Sequence, residues 1–461
     1  MAHPKIFLWF FLSLLPTVLS GSALRRTPEA ARPNILCILV DDLGYGDLSA
    51  YGAKDLRTPH IDSLLAAGVR FTNFYANSPV CSPTRAALLT GRYPDLVGVP
   101  GVLRVDPSDS WGHLSPKAVL LPALLKKAGY HTALVGKWHL GLEAPNLPNE
   151  RGFDHFKGFL EGMMDDYYNH LRHGQNFVRH NRQPIAAKGH ATDVFTDWAV
   201  EYLNERRQKK NPFFLCLAYT APHDPVQPPA DWLGRVKQRE PRLEDKRAKL
   251  VGLIEHLDHR IGDVLATLRA NGQADNTLVV FVSDNGGLLR VGANCGPWRG
   301  GKEDMYEGGI RVPAGVAWKG RVAWKGRIAS GGQSEQVLLT MDLFPTICEA
   351  AGVRADGPLD GVSFLPPLTG QPQTMPDRPL FWVRREGTFR YNGQDYYAAR
   401  LGRWKLVQNS PYQPMELFDL ATDPYEQRDL SKENRPKFEE LALLLRRHLL
   451  DAGAVPWQRG K

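Results

Sequence analysis

The sequence predicts an α/β sandwich around a large, mostly parallel sheet, followed by a smaller C-terminal subdomain of antiparallel strands and one packed helix. Three observations predict it. Short apolar runs alternate with amphipathic helical stretches through most of the 461 residues, the pattern of strands buried between helices. Polar pairs stand directly after several of those runs, where open α/β sheets carry their ligand-binding residues. Near residue 370 the texture changes to Pro-rich turns (Pro366-Pro367, Pro372, Pro376, Pro379) and short β-like pieces. A chain of this length exceeds one small core. The expected division is residues 1–23 as a leader, 24–370 as the main domain and 371–461 as the subdomain.

The elements follow in order. Residues 34–40, Asn-Ile-Leu-Cys-Ile-Leu-Val, form a continuous apolar run and a buried strand. Thr58-Pro59 opens a helix through Ile61, Leu64 and Leu65, and Gly68 closes it. Residues 120–128 are a second helix, ending at Gly129 and leading into a strand over 131–135. Strands at 213–219 and 277–282 flank a long helical stretch, 245–270. Strand pieces at 380–384, 396–401, 404–407 and 416–419 and a helix over 436–450 make up the end of the chain. Val316-Ala-Trp-Lys-Gly-Arg321 recurs at once as Val322-Ala-Trp-Lys-Gly-Arg327. A tandem hexapeptide is too short for a structural repeat; it reads as an inserted loop or hairpin, or as strand in both copies.

Composition narrows the class. Apolar residues at 43% and charged residues at 23% fit a soluble enzyme. The net charge of +8 favours an anionic partner, although scattered surface Lys and Arg give the same total. Nothing resembles a nucleic-acid reader: there is no basic run, zinc-ligand cluster or aromatic–basic repeat. Lys5, the apolar residues 6–19 and the small residues Ser20-Gly21-Ser22-Ala23 form an export signal cleaved near Ala23. The run is short and contains Pro16, so no permanent membrane anchor is expected. Five cysteines are few and odd in number. Cys37 and Cys216 lie in strand runs, Cys348 in a helical pattern and Cys295 in a Gly-rich loop, so no disulfide framework is expected. No glycosylation sequon occurs, which points to a bacterial periplasmic or secreted enzyme rather than a lysosomal one.

Asp41-Asp42 and Asp284-Asn285 follow strands and stand beside Gly44, Gly46, Gly286 and Gly287. An isolated Asp-Asp is ordinarily a turn or a cap. Two such pairs at matching strand ends are oxygen ligands suited to calcium or magnesium, not zinc. Pro222-His223 follows a third strand on the same rim. Cys81-Ser82-Pro83-Thr84-Arg85 opens a helix, where the partial positive charge of the N-terminus stabilises an anion. Cys81 is then either an activated thiolate or a packed cysteine.

Cys81-Ser-Pro-Thr-Arg85, continued by Leu89-Thr90-Gly91-Arg92, resembles the Cys-x-Pro-x-Arg and Leu-Thr-Gly-Arg signature of type I sulfatases. The resemblance runs from about Pro33 to the C-terminal helix. It takes in Gly136-Lys137-Trp138-His139-Leu140-Gly141, Ala221-Pro222-His223, Ser283-Asp284-Asn285-Gly286, Lys302 before Glu307-Gly308-Gly309, Trp404-Lys405-Leu406 and Glu416-Leu417-Phe418-Asp419-Leu420. It is nearest the arylsulfatase and N-acetylgalactosamine-6-sulfatase branch.

The resemblance implies an alkaline-phosphatase-like fold and a sulfuric ester hydrolase. It implies that a formylglycine-generating enzyme oxidises Cys81 to formylglycine during export. Asp41, Asp42, Asp284, Asn285 and formylglycine 81 would hold calcium. Arg85 would orient the hydrated aldehyde; His139 would hold one of its hydroxyls and act as base. Lys137 and Lys302 would bind sulfate oxygens, and His223 would bind sulfate and protonate the leaving alcohol. The substrate would be a sulfated carbohydrate or related ester. Two other readings share these residues: a phosphate or phosphonate ester hydrolase of the same superfamily, and a pseudo-enzyme that binds sulfated glycans with Cys81 unmodified. Many relatives carry a polar sulfate contact where this chain has Gly158-Phe159-Leu160-Glu161-Gly162, and no residue here takes that role from sequence.

Overall fold

The computed structural model describes Met1 and residues 32–456, apart from 107–109, 111, 320–327, 329, 356, 372–374 and 387–392. Residues 32–461 belong to one compact unit. The expected leader and its cleavage site lie outside the described residues, as does the second copy of the hexapeptide.

Five strands form the centre of a ten-stranded sheet, side by side in the order Thr277–Ser283, Asn34–Val40, Phe213–Ala218, His131–Lys137 and His155–Phe159. All pair in parallel, so their carboxyl ends share one edge. Phe213–Ala218 and Thr277–Ser283 are buried throughout, which explains why these strands read as unbroken apolar runs rather than alternating ones. Each fully buried Leu, Ile or Val contributes roughly 1.5–3 kcal/mol, so the register of these strands is fixed by packing on both faces. Cys37 lies opposite Cys216 across the central pair, and all five cysteines are free and buried.

The sheet is mixed at its margins. Ala314–Ala317 runs antiparallel to Thr277–Ser283, and Val69–Phe71 pairs antiparallel with it in turn. The first hexapeptide copy therefore begins inside a strand. Helices cover the sheet. Pro59–Ala66 and Asp245–Ala270 pack together on it, and Ala191–Arg206 packs against the long helix. The long helix has the bounds the sequence predicts, and the helix predicted over 120–128 occupies Leu121–Lys127.

Leu380–Glu386, Gln394–Leu401, Trp404–Gln408 and Glu416–Asp419 form a four-stranded antiparallel meander. Helix Arg435–Gly453 lays Leu441, Leu445, His448 and Ala452 against it, positions that share one face at helical spacing. This second core includes Tyr75, Met305 and Ile310 from the main fold, so the meander packs on the loop after Thr277–Ser283.

Candidate active site

The carboxyl edge of the central strands brings the sequence-identified residues together. Asp41 and Asp42 follow the Asn34–Val40 strand, and Asp284 and Asn285 follow Thr277–Ser283. The two strand ends are tied by Asp284 N–H donating to the Val40 carbonyl at 3.1 Å and Asp42 N–H to Asp284 Oδ1 at 3.3 Å. Ser283, which sequence reasoning passed over, accepts from Leu43 N–H at 3.0 Å and donates to the Asn285 carbonyl at 2.9 Å. Lys137 ends its strand, and His139 follows in the left-handed region at φ 60°.

Cys81 is the first residue of helix Cys81–Thr90, every residue of which is buried. Thr84 Oγ1 accepts from Ser78 N–H and donates to the Ser78 carbonyl, which fixes the loop entering the helix. Val80 is still extended and Pro83 is tolerated in a first turn, so the helix begins at Cys81.

Charges interlock around Cys81. Lys137 Nζ lies 2.5 Å from Asp41 Oδ2, and Lys302 Nζ 2.7 Å from Asp42 Oδ2. Arg85 donates from Nε and Nη2 to Asp284 Oδ2, and from Nη1 to the Lys137 carbonyl at 3.1 Å. Asn285 Nδ2 donates to Asp42 Oδ1 at 2.7 Å. Burial works against the Asp41 carboxylate, yet Lys137, His223 and Arg85 hold its pKa below the usual range. Asp284 is raised by burial and then by the Asp41 charge, which outweigh Arg85. Opposite and like charges at such separations are worth about 4 kcal/mol at an effective dielectric of 20, enough to set which carboxyl stays ionised. Burial pushes the Cys81 thiol up to about 11, so an unmodified thiolate nucleophile is poorly served here.

The histidines have assignable roles. His139 Nε2 lies 2.7 Å from the Leu103 carbonyl, so that nitrogen carries the proton and Nδ1 keeps its lone pair. Nδ1 is buried without a hydrogen-bond partner among the described residues. Burial, reinforced by Lys137 and Arg85, holds the pKa of His139 well below its ordinary value, so the ring is neutral, with its lone pair at Nδ1. His223 Nδ1 donates to the Asp224 carbonyl at 2.6 Å, leaving Nε2 to accept from Lys302 Nζ at 2.9 Å. Neither the Leu103 nor the Asp224 contact has a sequence signal, since each is made through a backbone carbonyl.

The donor set fits a hard cation. Asp41 Oδ1 and Asn285 Oδ1 are buried oxygens without a hydrogen-bond partner among the described residues, and one ligand atom from each of Asp41, Asp42 and His223 lies within 4.8 Å of the others. Buried oxygens that nothing satisfies, beside crowded carboxylates, are what a calcium ion would complete. The site opens into a cleft of about 600 Å³ lined by Cys81, His139, His223 and Lys302, with Glu161, Arg104 and Arg384 farther along its walls.

Comparison with known proteins identifies relatives of the chain. Residues 33–353 match the Sulfatase family model, and residues 300–454 match the model of the N-sulphoglucosamine sulphohydrolase C-terminal region. The chain is 34% identical over 410 residues to N-acetylgalactosamine-6-sulfatase of Canis lupus familiaris, covering 84% of this chain and 74% of that protein. It is 30% identical over 520 residues to steryl-sulfatase of Rattus norvegicus, covering 89% and 87%. The solved structure of Ps i-CgsB in complex with k-i-k-neocarrahexaose superposes with a TM-score of 0.82 at 31% identity, covering 91% of this chain and 93% of that one. On its fold and its sequence, the chain belongs to the sulfatase family and is a sulfuric ester hydrolase.

Proposed function

We propose that the protein hydrolyses sulfate esters of a carbohydrate, with residue 81 in its formylglycine form as nucleophile and calcium held by Asp41, Asp42, Asp284 and Asn285. One observation carries this reading: Lys137 and Lys302 bring ammonium groups to the two carboxylates flanking Cys81 at a helix N-terminus, an environment for a tetrahedral oxyanion. The carbohydrate is supported by the relatives, which include an N-acetylgalactosamine-6-sulfatase and a neighbour bound to a neocarrahexaose.

Formylglycine supplies, as its hydrate, two hydroxyls on one carbon, one to attack sulfur and one to release the sulfate; calcium supplies charge neutralisation for the sulfate oxygens. The chain's own residues do the rest. Arg85, anchored on Asp284 and the Lys137 carbonyl, orients the side chain at 81. His139 takes a proton at Nδ1, the nitrogen that its bond to Leu103 leaves available. Lys137 and Lys302 bind the sulfate oxygens. His223, once it has taken up a proton from solvent at Nε2, delivers that proton to the departing alcohol, while Lys302 keeps its ammonium charge beside Asp42.

Residues 24–370 carry this chemistry in our reading, and 371–461 brace it. Lys405 on the meander reaches Glu307 at 2.9 Å and Glu426 at 2.8 Å, and the adjacent Gly308 packs so closely on the Gly300 carbonyl that a Cβ would lie 2.1 Å from it. The loop bearing Lys302 is thereby clamped. Among the described residues no helix is long and apolar enough to cross a membrane. We further propose export through residues 1–23, to the periplasm or outside the cell, and maturation by a formylglycine-generating enzyme.

The test is the mass of the tryptic peptide containing residue 81 after co-expression with such an enzyme, together with rates on aryl sulfate and aryl phosphate. A loss of roughly 18 Da, thiol replaced by aldehyde at the nucleophile, and a sulfate preference are expected. An unmodified cysteine, or a large phosphate preference, would overturn the proposal.

A further inference from the structure

Next to His139 the cleft holds one buried carboxylate that neither the cation site nor the proton transfers use. Strands His155–Phe159 and His131–Lys137 run on side by side past their ends. Trp138 N–H donates to the Phe159 carbonyl at 2.9 Å, and His139 N–H to the Leu160 carbonyl at 3.0 Å. Glu161 is the next residue. It lines the cleft together with Cys81 and His139, yet it is only 4% exposed.

Glu161 differs from the other buried carboxylates of the site in lacking a cation. Asp41, Asp42 and Asp284 each have an ion pair, whereas Glu161 makes none among the described residues. The cations that act on it from farther off are held by other acids: Lys137 Nζ by Asp41 at 2.5 Å, and Arg172 Nη1 by Asp165 at 3.0 Å. Burial accordingly raises the Glu161 pKa, against the Met163 N–H and the charges of Arg172 and Lys137.

Oε2 of Glu161 accepts from Met163 N–H at 2.8 Å. A glutamine oxygen would serve that turn equally well, without burying a charge. The fold therefore has no need of the ionised form, and a buried, unpaired charge facing a cleft is the mark of a group kept for a ligand. A carboxylate repels sulfate oxygens and accepts hydrogen bonds, so its complement is a donor on the remainder of the substrate.

We propose that Glu161 accepts a hydrogen bond from a hydroxyl or amino group on the sugar ring that bears the sulfate ester, and so selects a saccharide over a simple sulfate ester. The inference rests on the sulfate-ester reading above and deepens it. Cations read the ester group, and a single anion reads the ring that carries it.

The experiment compares kcat/KM of the matured enzyme on galactose 3-, 4- and 6-sulfate, galactosamine 6-sulfate, 4-nitrophenyl sulfate and tetrahydropyran-2-ylmethyl sulfate, a ring without hydroxyls. The wild type is expected to prefer at least one of the sugars to the hydroxyl-free ring. A preference for galactosamine over galactose at the same ester identifies the donor as the amine, and the reverse identifies a hydroxyl. Glu161→Gln is expected to lower the ratio of kcat/KM on the preferred sugar to that on the hydroxyl-free ring by about tenfold to a hundredfold, the effect of one charge-assisted hydrogen bond. Its Tm is expected to hold or rise, since the variant removes an unpaired buried charge. Glu161→Asp keeps the charge on a shorter stem and is expected to retain part of the preference. Equal losses of the Gln variant on all esters, with a lowered Tm, would overturn the inference, because the carboxylate would then only hold the turn beside His139. A wild type without preference for any sugar over the hydroxyl-free ring would also overturn it. Inactivity on every ester, 4-nitrophenyl sulfate included, would instead remove the sulfatase reading and the role of Glu161 with it.

Discussion

Arg85 donates from both Nε and Nη2 to one oxygen of Asp284, Oδ2, at 3.0 and 2.8 Å. The other oxygen, Oδ1, accepts from the backbone of Asp42. Asp284 therefore joins the arginine beside Cys81 to the end of the neighbouring strand, and both side chains are almost wholly buried. Removing one partner of a buried pair leaves the other charge uncompensated, at a cost of about 3–5 kcal/mol. Arg85→Ala is expected to lose turnover and to lower unfolding stability by that amount, read from the urea midpoint. Arg85→Lys keeps a charge but not the fork, and is expected to lose less stability while remaining largely inactive. A stability change under about 1 kcal/mol for the Ala variant would contradict the assignment of this pair.

Calcium binding can be read without turnover. Asp41 Oδ1 is a buried acceptor without a hydrogen-bond partner among the described residues. In Cys81→Ala protein, calcium at a hundredfold excess over its Kd is expected to add about 2.7 kcal/mol of stability, seen as a rise in Tm that a chelator reverses. Asp41→Asn brings an N–H₂ group into a site built of acceptors, and is expected to abolish that rise. An undiminished calcium response in the Asn variant would remove Asp41 from the ligand set.

Gly162 offers a sharper test of His139 than its own replacement. A Cβ at Gly162 would lie 2.2 Å from both Cε1 and Nε2 of the imidazole, displacing the ring and breaking its bond to the Leu103 carbonyl. Gly162 is not among the glycines at positive φ, so alanine suits the backbone and the clash with the ring is the main effect. Gly162→Ala is expected to lower kcat at least tenfold, within the range of a misplaced acid–base group. Tm should move by only a few degrees, since the ring borders an open cleft. Wild-type kcat in this variant would show that the ring's position does not matter.

The same region shows what sequence could and could not supply. Asp41-Asp42 and Asp284-Asn285 were legible because each pair follows an apolar run, and the strand pattern alone puts both on one edge. Cys81, Arg85, Lys137, His139, His223 and Lys302 were legible through the family resemblance, and the structure gathers them. The contacts that fix their geometry were not legible. Ser283 to Leu43 and Arg384 to Glu303 join segments far apart in sequence, and the His139 and His223 tautomers depend on backbone carbonyls that carry no residue preference. The role of Gly162 was hidden for the same reason: a glycine pressed by a ring reads in sequence as any loop glycine. The Val69–Phe71 and Gly332–Ser334 strands are too short to show a period, so the mixed margin of the sheet had no signal beyond its central strands.

Acid sensitivity should trace to histidines away from the chemistry. His190 caps helix Ala191–Arg206: its Nδ1 accepts from Thr192 N–H at 3.2 Å, and its Nε2 donates to the Gln227 carbonyl at 2.9 Å. Only the neutral ring can do both, because a proton on Nδ1 would face the Thr192 donor. Burial, with a smaller contribution from the His256 charge, lowers its pKa to about 4. The unfolded chain takes up this proton near pH 6.5 and the folded chain only near pH 4. Stability from His190 is therefore complete above pH 6.5 and lost as pH falls toward 4, by about 3 kcal/mol at most. His155, pushed to about 4 chiefly by burial, adds to the same limb. His190→Gln has no proton to gain, and is expected to show a shallower fall of Tm between pH 6.5 and 4.5. At neutral pH it should be less stable by about 1 kcal/mol, the worth of a lost helix cap. An acid limb as steep as that of the wild type would place the sensitivity in other groups, with His155→Gln the next variant to measure.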